Sequence, residues 1–184
     1  MHTTTSTRPP VLLRPMADSD EQQARQAHEE LARDGFEFLF DLVEGEAWPA
    51  YLARVEGQRL GVGLVEGMVP ATFLLAEVDG QVVGRVSIRH ELNDYLREVG
   101  GHVGYGVRPG FRRRGYATAI LRQSLAVAAS TGLARVLVTC DDDNVGSATA
   151  IESCGGVLES LVPGRDGSST SRRRYWVDVD QQGS

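Results

Sequence analysis

Residues 103–118 read Val-Gly-Tyr-Gly-Val-Arg-Pro-Gly-Phe-Arg-Arg-Arg-Gly-Tyr-Ala-Thr, and the rest of the chain is arranged around this run. Val103, Tyr105 and Val107 alternate with glycines as the residues of a strand do. Pro109 ends the strand because it has no N–H to add to a ladder, and an apolar helical period begins after Gly115. The run thus predicts a strand, a basic turn and the start of a helix. Arg108, Arg112, Arg113 and Arg114 crowd this turn in a chain whose formal net charge is −6. A phosphate site accounts for that inversion of sign. A helix start presents N–H groups without intrahelical acceptors at the positive end of the helix dipole. Nearby arginines raise the potential, and Gly115 lets an anion approach the main chain.

Two familiar phosphate loops fail here. From Gly110 to Gly115 the spacing is that of a nucleoside-triphosphate loop, but Tyr116 and Ala117 stand where Lys and Ser or Thr are required. A dinucleotide fingerprint begins at Gly104 and Gly106 and breaks at Pro109. What the run does resemble is the acetyl-CoA signature of the GNAT N-acetyltransferase superfamily, V-x-P-x-x-(R/Q)-x-x-G-x-(G/A). Val107, Pro109, Arg112, Gly115 and Ala117 fill it in register. The resemblance spans residues 11–179, with segments 11–15, 73–89, 133–156 and 175–179 in the order of that fold's other elements. It implies an α/β (α+β) fold: a mixed, mostly antiparallel, twisted sheet of six to seven strands, flanked by about four helices, with splayed central strands.

A chain of 184 residues is long enough for one domain with a sizeable core and too short for two of ordinary size. The expected division is a tail at 1–10 with nothing to bury, an N-acetyltransferase domain at 11–180 and a short tail at 181–184. No apolar run approaches the roughly 18 residues of a membrane span, and the first residues lack the apolar stretch of a secretory signal, so the cytoplasm is the expected compartment. Cys140 and Cys154 supply neither a disulfide framework nor a four-ligand metal set. The acidic balance argues against nucleic acid as a partner, leaving only the local patch at 108–114 for it.

Residues 11–14 read as a short strand, and Asp18 or Ser19 as the cap of a helix that Gly35 stops. An apolar cluster from Phe36 to Val43 precedes a helical period at Trp48, Tyr51, Leu52 and Val55. Residues 72–78 and 82–89 flank Asp79-Gly80 as a hairpin, and 90–101 read as a polar loop. Ala117, Ile120, Leu121, Leu125 and Ala128 form one helical face. Residues 135–140 form a buried-type strand suited to a parallel neighbour, 144–154 a helix capped near Asn144 or Ser147, and 157–161 and 175–179 late strands. The resulting order β, α, α, β, β, β, α, β, α, β, β is a mixed layer.

Gly104 and Gly106 weaken their strand unless its backbone is closely approached or a bulky side chain needs the room. The resemblance implies the first: a pantetheine arm paired along the strand, with main chain near Tyr105 to Val107 holding the cosubstrate acetyl-CoA and donating an N–H to the thioester oxygen. A donor of this kind is worth about 3 kcal/mol in acyl transfer. It also implies that the amides of Arg112, Arg113, Arg114, Gly115, Tyr116 and Ala117 cradle the pyrophosphate with the Thr118 hydroxyl. Asn144 and Ser147 then face the pantetheine and acetyl end, although simple helix caps would look the same. Ile151 stands where many members of the family carry a tyrosine that protonates the departing thiolate, which leaves Ser147, Tyr105 or Tyr175 for that task.

A lysine-like acceptor is neutral in only about one molecule in 2500 at pH 7, a burden of roughly 4.6 kcal/mol, so a base or a desolvating pocket is required. His102, Glu98 and His90 are the candidate bases, and no metal site is expected because the histidines lack companion ligands. The expected activity is direct transfer of acetyl from acetyl-CoA to a small-molecule or peptide amine in a ternary complex. A CoA-binding sensor without turnover is the alternative. By the same resemblance, residues 36–48 select the acceptor and a homodimer is admitted.

Overall fold

The computed structural model describes residues 10–164 and 169–179, so the expected tails lie outside the described residues apart from Pro10. The elements follow the predicted order: β1 (Leu12–Arg14), α1 (Glu21–Ala32), α2 (Trp48–Leu60), β2 (Ala71–Val78), β3 (Gln81–Arg89), β4 (Val103–Val107), α3 (Tyr116–Ser130), β5 (Arg135–Asp141), α4 (Val145–Ser153), β6 (Val157–Val162) and β7 (Arg172–Asp178). The strands form one sheet in the order β1-β2-β3-β4-β5-β7-β6. Every pairing is antiparallel except β4 with β5. The β2–β3 hairpin turns on Asp79 and Gly80, both left-handed at φ 49° and 76°, the primed geometry that follows the strand twist.

Period-two alternation divides the core between the two faces of the sheet. On β2, Phe73 and Leu75 join Ala24, Ala27 and Leu31 of α1 and Trp48 and Tyr51 of α2. Leu74, Ala76 and Val78 point the other way, into the cluster built by Ile120, Leu121, Leu125 and Ala128 of α3 and Ile151 of α4. The predicted apolar face of α3 is therefore the buried one.

Three local expectations need correction. Neither Asp18 nor Ser19 caps α1: residues Asp18–Asp20 form a 3-10 turn, and it is the Asp20 carboxylate that accepts the Ala17 N–H at 2.7 Å and both arms of the Arg14 guanidinium at 2.7 and 2.8 Å. The segment 90–101 is not irregular throughout, since Leu96–Gly100 closes a π-helical turn with Leu96 and Val99 buried. Finally, β7 begins at Arg172 rather than Tyr175. Its three leading arginines are held to Asp141 (3.0 Å), Asp142 (2.6 Å) and Glu159 (3.1 Å), so cross-strand ion pairs extend a strand whose charges read as loop.

Candidate functional site

β4 and β5 share one paired position, Val103 with Val138, and then part. The other edge of β4 stays bonded to β3 along its whole length. The Arg108 N–H reaches the Val83 carbonyl at 2.9 Å, which fixes the phase of that ladder. Because antiparallel residues alternate between facing toward and away from the partner, Gly106 and Gly104 turn to β3, while the N–H and C=O groups of Tyr105 and Val107 turn toward the gap left by β5. Gly106 is needed for a different reason: a Cβ there would stand 2.6 Å from Phe36 Cε1. Bulk on one side and access on the other both apply to this strand.

The gap runs toward the start of α3. Arg113 and Gly115 are left-handed (φ 60° and 78°), a backbone sequence that turns neighbouring N–H groups to one concave side. Ala119 provides the first inward amide, at 3.1 Å from the Gly115 carbonyl, so the amides of Tyr116, Ala117 and Thr118 point out of the helix end. The Arg112 amide is turned back onto Pro109 O at 3.3 Å, so it is not part of the outward set. The arginines diverge in role. Arg108 is buried and grips Glu30 through Nε and Nη2 at 2.9 and 2.8 Å, Arg112 pairs with Asp34 at 2.6 Å, and Arg114 reaches the Gly110 carbonyl. Arg108 is thus a strut between α1 and β4 and no part of a surface patch.

Beside the gap lies a cleft of about 450 Å³ lined among others by Phe36, Phe40, Tyr105, Cys140, Asn144 and Ser147. Tyr105 Oη is 2.8 Å from Ser147 Oγ, and burial pushes the phenol up to about 12 against the pull of Ser147, so it remains a donor at neutral pH. Asn144 Oδ1 accepts the Ser147 N–H at 3.0 Å, capping α4 and fixing this pair at once. Cys140 is held as a thiol, pushed up to about 11 by burial. Tyr175 is buried away from the cleft and gives its hydroxyl to Glu152 at 2.9 Å, and Ile151 is core.

None of the expected bases lines the cleft. The Nδ1 of His102 already accepts the Leu137 N–H at 2.9 Å, and burial, followed by Arg89 and Arg97, pushes it down to about 4. It ties β4 to β5 just before they part. His90 Nε2 sits 2.8 Å from Thr72 Oγ1, and Glu98 is exposed on the π-helical turn. From residues 36–48, Phe36 and Phe40 reach the cleft, whereas Trp48 is buried with its indole N–H on Ala17 O. Arg85 and Arg89, absent from the residues expected at the site, line the cleft from β3. The signal was present: arginines inside an otherwise apolar strand need a purpose.

The sheet parted between β4 and β5 beside this helix start belongs to the class of acetyltransferase folds. The chain belongs to the GNAT acetyltransferase family, whose sequence profile, described as an acetyltransferase (GNAT) domain, matches residues 11–157. Comparison with curated protein sequences finds no match. Among solved structures, RimJ of Mycobacterium smegmatis in complex with CoA-disulfide is 20% identical with a TM-score of 0.69, over 96% of this chain and 87% of that one. The putative acetyltransferase YncA from Salmonella typhimurium, with acetyl-CoA, is 17% identical at 0.63 over 95% and 96%. A spermidine N-acetyltransferase chimera involving Vibrio cholerae SpeG is 15% identical at 0.64 over 94% and 97%.

Proposed function

We propose that the protein transfers acetyl from acetyl-CoA to a primary amine by direct attack in a ternary complex. The observation that carries this reading is the parted β4–β5 pair, with Tyr105 and Val107 main chain facing the gap and the outward amides of α3 at its end. Acetyl-CoA would lay its pantetheine arm along β4 as an added strand, with its pyrophosphate on the amides of Arg113, Arg114, Gly115, Tyr116, Ala117 and Thr118. Main-chain N–H near Tyr105 and Val107 would then hold the thioester oxygen as it becomes an oxyanion. Solved relatives carry acetyl-CoA or CoA, which supports the choice of cosubstrate.

The neutral amine attacks the thioester carbon, the C–S bond breaks, and the thiolate leaves toward the Tyr105–Ser147 pair, whose hydroxyl hydrogen stabilises it. The proton that completes the free thiol comes from the amine nitrogen, which sheds one as the amide forms. Neither cysteine provides a covalent relay: Cys140 is held protonated and Cys154 is buried with its Sγ 3.6 Å from Thr118 O. Since His102 and Glu98 stand off the cleft, the acceptor gives its first proton to water, and desolvation in the cleft favours the neutral amine.

The alternative is a CoA sensor that does not turn over. The buried Ile151, in place of a tyrosine, favours it; the donor pair at Tyr105 and Ser147 answers it. Acetyl-CoA at a hundred times its dissociation constant should add about 2.7 kcal/mol of stability, which raises the melting temperature by several degrees, and ATP should not. Thiol release across an amine panel then separates the two readings, because a sensor shows the melting shift with no thiol.

A further inference from the structure

Arg85 and Arg89 lie four residues apart on β3, hence on one face of the strand, and both guanidiniums turn to the same spot on β4. Arg85 Nη1 donates to the Gly104 carbonyl at 3.2 Å. Arg89 Nη1 and Nη2 lie 3.5 and 3.6 Å from where a Cβ on Gly104 would stand, so the Arg89 head packs directly against this glycine. Neither arginine meets a carboxylate among the described residues. Arg85 gives its remaining bonds to Phe38 O (3.1 Å) and Glu37 O (2.6 Å), and Arg89 gives Nη1 to Gly100 O and Gly101 O (3.3 and 3.2 Å). Carbonyls satisfy donors but do not cancel charge.

Arg85 is 6% exposed and lies over the rings of Phe36 and Phe73 at 4.5 and 5.3 Å. The other charged residues lining the cleft, Asp141 and Arg172, hold each other at 3.0 Å. Counting Arg85, Arg89 and Arg172 against Asp141 leaves two surplus positive charges in a protein of net charge −6. Like charges held close and largely out of water raise the energy of the empty site. Burial, with the neighbouring Arg89, pushes Arg85 down to about 10. An anion between the two heads would relieve both costs.

We propose that the acceptor amine carries an oxyanion group, a carboxylate in the simplest case, bound by Arg85 and Arg89 while its nitrogen reaches the thioester. This rests on the acetyltransferase reading above and narrows it to small amines bearing an acid, the amino acids foremost. A cleft of about 450 Å³, shared with the end of the pantetheine arm, suits a molecule of that size. Phe36 and Phe40 supply an apolar wall beside the charged floor. A polyamine would bring positive charge to a positive floor. The carbonyl bonds of Arg85 also strap residues 37 and 38 against β3, so anion and acceptor wall are held by one side chain.

The test compares amino acids with their carboxamides and with spermidine in thiol release. The acids should be used with kcat/KM roughly ten- to hundredfold above the amides, carried by KM, and Arg89→Gln should bring that ratio to about one while Arg89→Lys keeps part of it. A purely structural Arg89 would alter stability and leave the ratio untouched. The same ligands are run as a melting series on the CoA-bound protein, which needs no turnover: acids stabilise, amides do not, and Arg89→Gln loses the effect of acids while keeping that of acetyl-CoA. A protein that binds acetyl-CoA and releases no thiol sinks the acetyltransferase reading, and the melting series still decides the anion. Equal response to acids and amides, preference for spermidine or peptide amides, or an acid preference retained in Arg89→Gln overturns the proposal. If Arg89→Gln fails to fold, the acid-to-amide ratio of the natural protein decides alone.

Discussion

Gly115 and Arg113 are neighbours in the turn but hold different parts of the cosubstrate problem. Gly115 adopts φ 78°, which costs a residue with a side chain about 1–2 kcal/mol, and in the proposed site a side chain there would meet the phosphates. Gly115→Glu should abolish the acetyl-CoA melting shift, whereas Arg113→Ala should leave most of it, since in the proposed site main chain makes the bonds and the guanidinium adds only field. The reverse ranking, read from the same titration, would mean that side chains hold the phosphates. Tyr105 carries the second prediction at this scale. Tyr105→Phe keeps the ring and removes the hydroxyl that pairs with Ser147 Oγ at 2.8 Å. It should lower kcat about ten- to a hundredfold with little change in the KM for acetyl-CoA; equal loss in both would place the hydroxyl in binding.

Among the elements, the hairpin, α3 and β5 were legible because each carries one dominant signal: a D-G turn, a 3.6-residue apolar period, a continuous apolar run. The start of β7 was not, because Arg172, Arg173 and Arg174 read as solvated until their acidic partners on β5, β6 and the turn after β5 are brought alongside. The same limit hid the split among the turn arginines. Sequence placed Arg108 with Arg112, Arg113 and Arg114, yet the chain turns at Pro109, and Arg108 alone is sent inward to Glu30 of α1. Leaving that carboxylate half-buried and unpaired makes Arg108→Ala costly, about 3 kcal/mol, or a fall of roughly 6–12 °C in melting temperature for a chain of this size. The acetyl-CoA shift should survive in the variant. Loss of the shift without loss of stability would return Arg108 to the phosphate site.

At the scale of the whole molecule, the sheet was readable and the catalytic assignment was not, for one physical reason. Periodicity reports which face of an element is buried, but the partner of a buried polar group is set by strands distant in sequence. His102 illustrates this. Its position at the head of β4 suggested a base, and the fold gives its Nδ1 to Leu137 of β5. Burial there, with Arg89 and Arg97 nearby, makes the folded histidine resist protonation. Its pKa falls from an ordinary 6.5 to about 4 in the folded protein, so as pH drops the unfolded chain takes up the proton first. The stability it confers is complete above about pH 6.5 and is lost as pH falls toward 4, by up to about 3 kcal/mol. The carboxylates of Asp20 and Glu30 are held below their ordinary values, chiefly by hydrogen bonds from Arg14 and Arg108, and their contributions disappear only in the more acid range below about pH 4.5. Urea unfolding between pH 7.5 and 3.5 should therefore show two successive declines, and His102→Gln should flatten the first while leaving the second. If the variant and the natural protein decline with the same slope between pH 6.5 and 4.5, the buried His102 is not the group whose protonation opposes folding in that range.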